Sequence, residues 1–175
     1  MDIKHNEIRA PVRGSEIINH MPLICRLATA AEYPRIEQMI IESFEPITWA
    51  RKLDARAGPL NGRDWRARWH SRMQHIFATQ IILAGEANGE IVAAATGTLD
   101  RNCALGYIDL LGVDRRFQCQ GYGREMLRGM IAHMKELGAL YVNLDCLSDN
   151  DAANALYEAE GFEEVARHIR WFRRI

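Results

Sequence analysis

GYIDLLGVDRRFQCQGYGREML (residues 106–127) carries the reading of this chain. An apolar run, Tyr107 to Val113, ends at the charged Asp114-Arg115-Arg116. A short turn then holds two glycines one residue apart, Gly121 and Gly123, and leads into REMLRGMIAHMKELG (124–138). The first piece reads as a strand. The last carries Leu127, Met130, Ile131, Met134 and Leu137 on one helical stripe. A glycine turn between strand and helix places unpartnered backbone N–H groups, and the positive end of the helix dipole, where a ligand's phosphates can approach. The plain alternative is a turn that needs glycine only for sharpness.

Spacing separates the known phosphate loops. A Walker A loop needs Lys-Ser/Thr after its last glycine, where this chain has Arg124-Glu125. A dinucleotide fingerprint needs a small residue where Met126 stands.

Working outward, the same grammar continues on both sides. Upstream, LICRLAT (23–29) reads as a strand, with Thr29 capping a helix over AAEYPRIEQMIIESF (30–44). Pro46, Gly58, Pro59 and Gly62 mark residues 45–62 as loop. Trp65, Trp69, Met73 and Ile76 line one face of a second helix. QIILAGEA and EIVAAATGTL flank Asn88-Gly89, a type I′ hairpin signal. Downstream come strand LYVNLDCL (140–147), helix DAANALYEAEG (151–161) and a β-rich end, FEEVARHIRWFRRI (162–175). The order β-α-α-β-β-β-α-β-α-β predicts an α/β (α+β) fold, a mixed, largely antiparallel twisted sheet with helices on both faces. Residues 1–20 show no periodicity and read as a loosely ordered arm before a single domain over 21–175.

Composition narrows the class. With 48% hydrophobic residues and 175 in all, the chain can bury a core without staples. A net charge of -1 removes the broad electrostatic case for nucleic acid or an anionic membrane. Cys25, Cys103, Cys119 and Cys146 form no close pair, so they read as free thiols in a reducing cytoplasm. The polar N-terminus lacks a signal-peptide core, and no apolar run approaches the roughly 20 residues that span a bilayer. His70 and His75 are five apart, the wrong interval for two ligands on one helix face, and no metal is assigned.

Two motifs together point to a family. Gln118-x-x-Gly121-x-Gly123 resembles the pyrophosphate-binding signature of the GNAT superfamily of N-acetyltransferases, and NDAANALYEAEGF (150–162) resembles that family's later motif, in the same order and at about the same distance. The likeness covers residues 105–165 well, is only architectural over 23–104, and is absent before residue 20. One departure is Arg115, where the family often has proline.

The resemblance implies a GNAT-like acyl-CoA N-acyltransferase fold and acetyl-CoA as co-substrate. It implies that backbone amides of Gln118, Cys119, Gln120, Gly121, Tyr122, Gly123 and Arg124 hold the pyrophosphate. The pantetheine arm would then run along Leu111, Gly112 and Val113, with Gly112 at a strand bulge. Asn150 corresponds to a residue that bonds that arm, or else caps a helix, and Asn154 is a weaker candidate on the same helix. Tyr157 corresponds to the tyrosine whose hydroxyl points at the CoA sulfur; its plain alternative is a core aromatic.

Asp109 is out of place in an apolar strand. Counting by twos, it shares a face with Tyr107, Leu111 and Val113. The resemblance implies a base, directly or through a water relay, since family members can supply one from this strand; the alternative is a structural carboxylate pairing an arginine. A free aspartate titrates near about 4, so a direct base role requires desolvation.

The resemblance further implies an amine acceptor, on a small molecule or a peptide. Arg51, Lys52, Arg56, Arg63, Arg66, Arg68 and Arg72 read as sites for an acceptor's carboxylate or phosphate, or as a solvated cationic face. RHIRWFRR (167–174) reads as an edge strand at a homodimer contact or on a cofactor rim. The alternative to an enzyme is a non-catalytic acyl-CoA sensor or interaction module, which would need neither Tyr157 nor Asp109.

Overall fold

The computed structural model describes residues 21–175; the expected N-terminal arm, residues 1–20, lies outside them. Strand β1 (Ile24–Leu27) leads through a 3-10 turn into helix α1 (Tyr33–Phe44). Thr29 opens that turn as expected: its backbone N–H and its hydroxyl both donate to the Glu32 carboxylate, at 2.7 and 2.9 Å. Residues 45–62 are not all loop. Helix α2 (Trp49–Ala57) lies within them, its first turn closed by the Thr48 hydroxyl accepting from Ala50 N–H. Punctuation hid it, because Pro46 stands just before the cap and Gly58 (φ 74°) just after the last turn. Helix α3 (Trp65–Thr79) is capped by Asp64, and buries the four residues its periodicity picks out.

Strands β2 (Ile81–Ala87) and β3 (Glu90–Asp100) turn at Asn88 and Gly89, whose φ of 54° and 74° are those of a type I′ turn. Strand β4 (Leu105–Val113), helix α4 (Tyr122–Glu136), strand β5 (Tyr141–Leu144) and helix α5 (Asp151–Ala159) follow. The sheet order is β1-β2-β3-β4-β5, antiparallel throughout except for the parallel β4–β5 pair. One core packs Ile36, Met39, Ile40, Trp69, Met73 and Ile76 of α1 and α3 on one face of the sheet. A second packs Met126, Leu127, Met130 and Met134 of α4 on the other. The predicted mixed sheet with helices on both faces is what forms.

Two irregularities in β4 matter for the site. Opposite β3, Ile108 pairs Gly97 and Leu110 pairs Thr96, so Asp109 is an extra residue in a bulge. The bulge reverses the faces beyond it. Ile108 belongs to the α4 core and Leu110 to the α1–α3 core, although a regular strand would keep them together. The count by twos therefore fails here: Leu111 and Val113 pack on the α4 side, while Asp109 bonds to α3. Gly112 is not the bulge; it pairs Ala94 in register. Its missing side chain admits α1, since a Cβ there would come within 2.7 Å of Ile40 Cδ1 and Ser43 Oγ.

On its other side β4 outruns its partner. Pairing with β5 covers only Leu105 to Ile108, and the last rung is Ile108 with Leu144. From Asp109 onward the two strands part.

The expected C-terminal strand does not form. Residues 162–175 take no regular structure. They are drawn toward α2, where the Arg170 guanidinium sits 4.1 Å from the centroid of the Trp49 ring and Arg174 donates to the Ala57 carbonyl at 3.2 Å. An arginine-rich segment finds these contacts without needing a neighbouring strand.

Candidate active site

The turn after β4 is held open from within. Asp114 is buried, and its carboxylate accepts from the Arg116 N–H at 2.9 Å, closing a 3-10 turn over Arg115–Phe117. The Arg116 and Arg35 guanidiniums beside it hold that carboxyl far below the usual range. Arg115, at the family's proline position, bonds the Glu42 carbonyl at 2.7 Å and so ties the turn to the end of α1. Gln118 donates from Nε2 to the Val113 carbonyl at 3.2 Å, joining the turn to the end of β4.

Two residues of the turn are left-handed, Cys119 at φ 60° and Gly121 at φ 94°, and Gly121 is the residue before α4 begins. Left-handed residues in a turn are among the conformations from which an anion-binding concavity is built. Gly123 has an ordinary φ, and a Cβ there would meet Val113 and Leu156 at 3.7 and 3.9 Å, normal contact distances. Nothing inside the fold requires glycine at 123. The residues present thus fit a pyrophosphate.

The parting of β4 and β5 opens a cavity of about 430 Å³. Its walls include Leu111 from β4, Cys146 and Leu147 after β5, Tyr157 of α5, Trp69 of α3 and Trp49 of α2. Of the expected site residues, Asp109, Leu111, Asn150 and Tyr157 line it. Gly112, Val113 and the turn residues lie beyond it along β4.

Tyr157 packs against the α4 core and meets Phe162 edge-on at 5.9 Å, so it is both a core aromatic and a cavity residue. Burial, with Cys146 nearby, pushes its hydroxyl up to about 12. It is a neutral donor at any working pH. Asn150 precedes α5 but its side chain does not cap the helix; instead it bonds the Cys146 thiol. Asn154 spends its side-chain amide on the Leu147 carbonyl at 3.0 Å, a structural bond that fixes the loop.

Asp109 has both oxygens engaged. Arg72 donates to Oδ1 at 2.5 Å and Gln80 to Oδ2 at 2.9 Å. Its carboxylate is 12% exposed, against 38% for the arginine. That is the geometry of the arginine-pairing reading.

A residue the motif reading passed over stands beside it. Asp145 follows the last residue of β5, as Asp109 follows the last paired residue of β4, so both carboxylates flank the point where the strands separate. Asp145 is exposed to the cavity and accepts from the Tyr107 hydroxyl at 3.2 Å. Burial and the two aspartates push Tyr107 up to about 12, so it stays a donor. The sequence signal for Asp145 was the same one that marked Asp109, an aspartate within an apolar strand.

The cationic stretch is mostly neutralised internally. Arg66 pairs Glu45, Arg68 pairs Asp54, Arg72 pairs Asp109 and Lys52 pairs Asp149. It is closer to a solvated face than to an anion site.

Comparison with known proteins gives the family and the fold. The model of the Acetyltransferase (GNAT) family matches residues 42–162. The chain is similar to the N-alpha-acetyltransferase RimI of Mycobacterium tuberculosis, 38% identical over 93 residues, covering 52% of this chain and 57% of that protein. It is similar to the mycothiol acetyltransferase of Geodermatophilus obscurus, 39% identical over 70 residues, covering 40% of this chain and 23% of that one. The chain thus spans between about a quarter and three fifths of the length of these relatives. Among solved structures, the fold is like that of AAC(6')-Iy in complex with a CoA bisubstrate analogue (TM-score 0.61, 14% identity, 87% of this chain and 99% of that one). It is also like a ribosomal-protein-alanine N-acetyltransferase from Escherichia coli (TM-score 0.60, 20% identity, 82% and 79%). Since the family model takes in well over half of the chain, from the end of α1 through α5, this protein belongs to the GNAT family of acetyltransferases.

Proposed function

We propose that this protein moves the acetyl group of acetyl-CoA to a primary amine by direct attack. The observation that carries the reading is the parting of β4 and β5 directly below a glycine turn. It leaves the edge of Leu111–Val113 unpaired by β5, one turn away from amides suited to a pyrophosphate. Bound acetyl-CoA supplies an activated thioester; every other requirement falls on the chain.

The acceptor must lose a proton before its nitrogen can attack. We assign that step to Asp145, through a water, and give Asp109 the task of holding Arg72 in place. The ammonium and the thioester become an acetamide, a free thiol and one released proton: a C–N bond forms as the C–S bond breaks. Tyr157 stands at about 12, above a thiol near about 8.5, so full proton transfer from it runs uphill. Its contribution is a hydrogen bond to the departing sulfur, which then takes the second proton of the amine.

A screen of primary amines with detection of released thiol tests the proposal. Turnover that needs both amine and acetyl-CoA supports it. Tight acetyl-CoA binding with no thiol release for any amine would make the chain a binding module instead.

A further inference from the structure

The acceptor end of the cavity has an uneven inventory of charge. Arg72 lies over the Trp69 ring, 5.2 Å from its centroid, and is matched by Asp109. Arg170 covers Trp49 from the C-terminal segment. Lys52 bridges α2 to Asp149, in the loop after β5. Asp145 faces this space with a neutral phenol as its hydrogen-bond partner. The rest of the wall mixes Phe44 and Ile47 before α2, Trp49 in its first turn and Leu147 opposite with the polar Thr48, Asn150 and His168.

We propose, resting on the acetyl-transfer reading, that the acceptor is a monocationic amine with an apolar or aromatic group close to its ammonium. The ammonium reaches Asp145 through the water that takes its proton, and donates to the Tyr107 phenol oxygen, which accepts while still donating to that carboxylate. The apolar group fills the space beside Trp49, Ile47 and Leu147. A polycation fits poorly, because Arg72 and Arg170 line the same space, and of its two lining carboxylates Asp109 is already matched by Arg72, leaving Asp145 for one ammonium. Two sources carry this chemistry, a free arylalkylamine and the N-terminus of a peptide whose first residue is apolar.

The test compares phenethylamine, a Phe-Gly-Gly peptide amide, methylamine and a tetra-amino aminoglycoside, by thiol release and by quenching of tryptophan fluorescence in the CoA-bound protein. Phenethylamine or the peptide should exceed the aminoglycoside in kcat/KM by at least tenfold, and whichever of the two is higher identifies the source. Asp145→Asn should weaken the fluorescence-detected binding of phenethylamine by tenfold or more. Trp49→Ala should lower the ratio of kcat/KM for phenethylamine over methylamine by about tenfold. An aminoglycoside preference, or a ratio untouched by Trp49→Ala, overturns the acceptor assignment while leaving acetyl transfer standing. Absence of thiol release with every amine overturns both.

Discussion

Two aspartates face one cavity, and exchanging each for asparagine in turn separates a structural carboxylate from a catalytic one. In Asp109→Asn the residue keeps its size but loses the charge that Arg72 and Gln80 both address. The new amide also has to turn an N–H₂ toward one of two donors. Removing one partner of a fully buried pair costs roughly 3–5 kcal/mol, whereas an exposed pair is worth about 0–1. Here the carboxylate is 12% exposed and the arginine 38%, so Arg72 can recover much of its hydration. That places the cost at about 1–2 kcal/mol, or roughly 2–8 °C of melting temperature for a chain of this size. Activity should fall less than about tenfold. Asp145→Asn is the mirror case. Its side chain is exposed and an amide oxygen can still accept from Tyr107, so the melting temperature should move by no more than about 2 °C. kcat/KM should fall on the order of 10²-fold at neutral pH. The defect should shrink as pH rises toward the acceptor's own pKa, about 10 for an alkylammonium, because more amine is then already neutral. Scanning calorimetry and a pH–rate profile on the two variants decide the matter. If Asp109→Asn loses 10²-fold in rate with an unmoved melting temperature, and Asp145→Asn behaves as wild type, the assignment is refuted.

Three further outcomes follow from the same geometry. Tyr157→Phe removes one hydrogen bond to a charged sulfur, about 1.5–3 kcal/mol, so kcat should drop about 10- to 100-fold with acetyl-CoA affinity nearly unchanged; a kcat within twofold, with chemistry rate-limiting, returns Tyr157 to the core alone. Gly121→Val forces a branched side chain into φ 94° and blocks the approach to the amides, so calorimetry should show acetyl-CoA binding weakened by tenfold or more in a variant that still folds. Asp114 has a folded pKa held below its unfolded value, so the stability it contributes is present above about pH 4 and is lost as pH falls further. Asp114→Asn should therefore cost more in urea midpoint at pH 7 than at pH 3, and equal losses would break the link to its charge.

The elements legible in sequence were those with a local cause. Asn88-Gly89, the Thr29 cap, and the α3 and α4 stripes all depend on neighbours within a few residues, and all stand where the sequence pattern put them. What escaped depends on distant contacts. The bulge at Asp109 is set by the register with β3, which no count along β4 contains. Gly112 answers to Ile40 and Ser43, some seventy residues away. Arg72 and Gln80 belong to α3, and only packing brings them to Asp109. The C-terminal alternation had the period of a strand, but a strand also needs a neighbour, and the segment found Trp49 and Ala57 instead. The glycine turn was readable because its demand is on its own backbone, and the motifs around it named a family before any contact was known.

In the proposed site, the parting of β4 from β5 separates two regions by the kind of atom that forms them. On the donor side the groups on offer are main-chain amides and carbonyls, which no substitution other than to proline deletes. On the acceptor side the surface is made of Trp49, Ile47, Leu147, Tyr107 and Asp145, each replaceable in a single step. Inhibitor design inherits that division. A compound that copies the donor arm addresses features common to any chain of this fold, and it will not discriminate among them. Selectivity for this protein has to come from the few atoms that reach past the strand ends to α2.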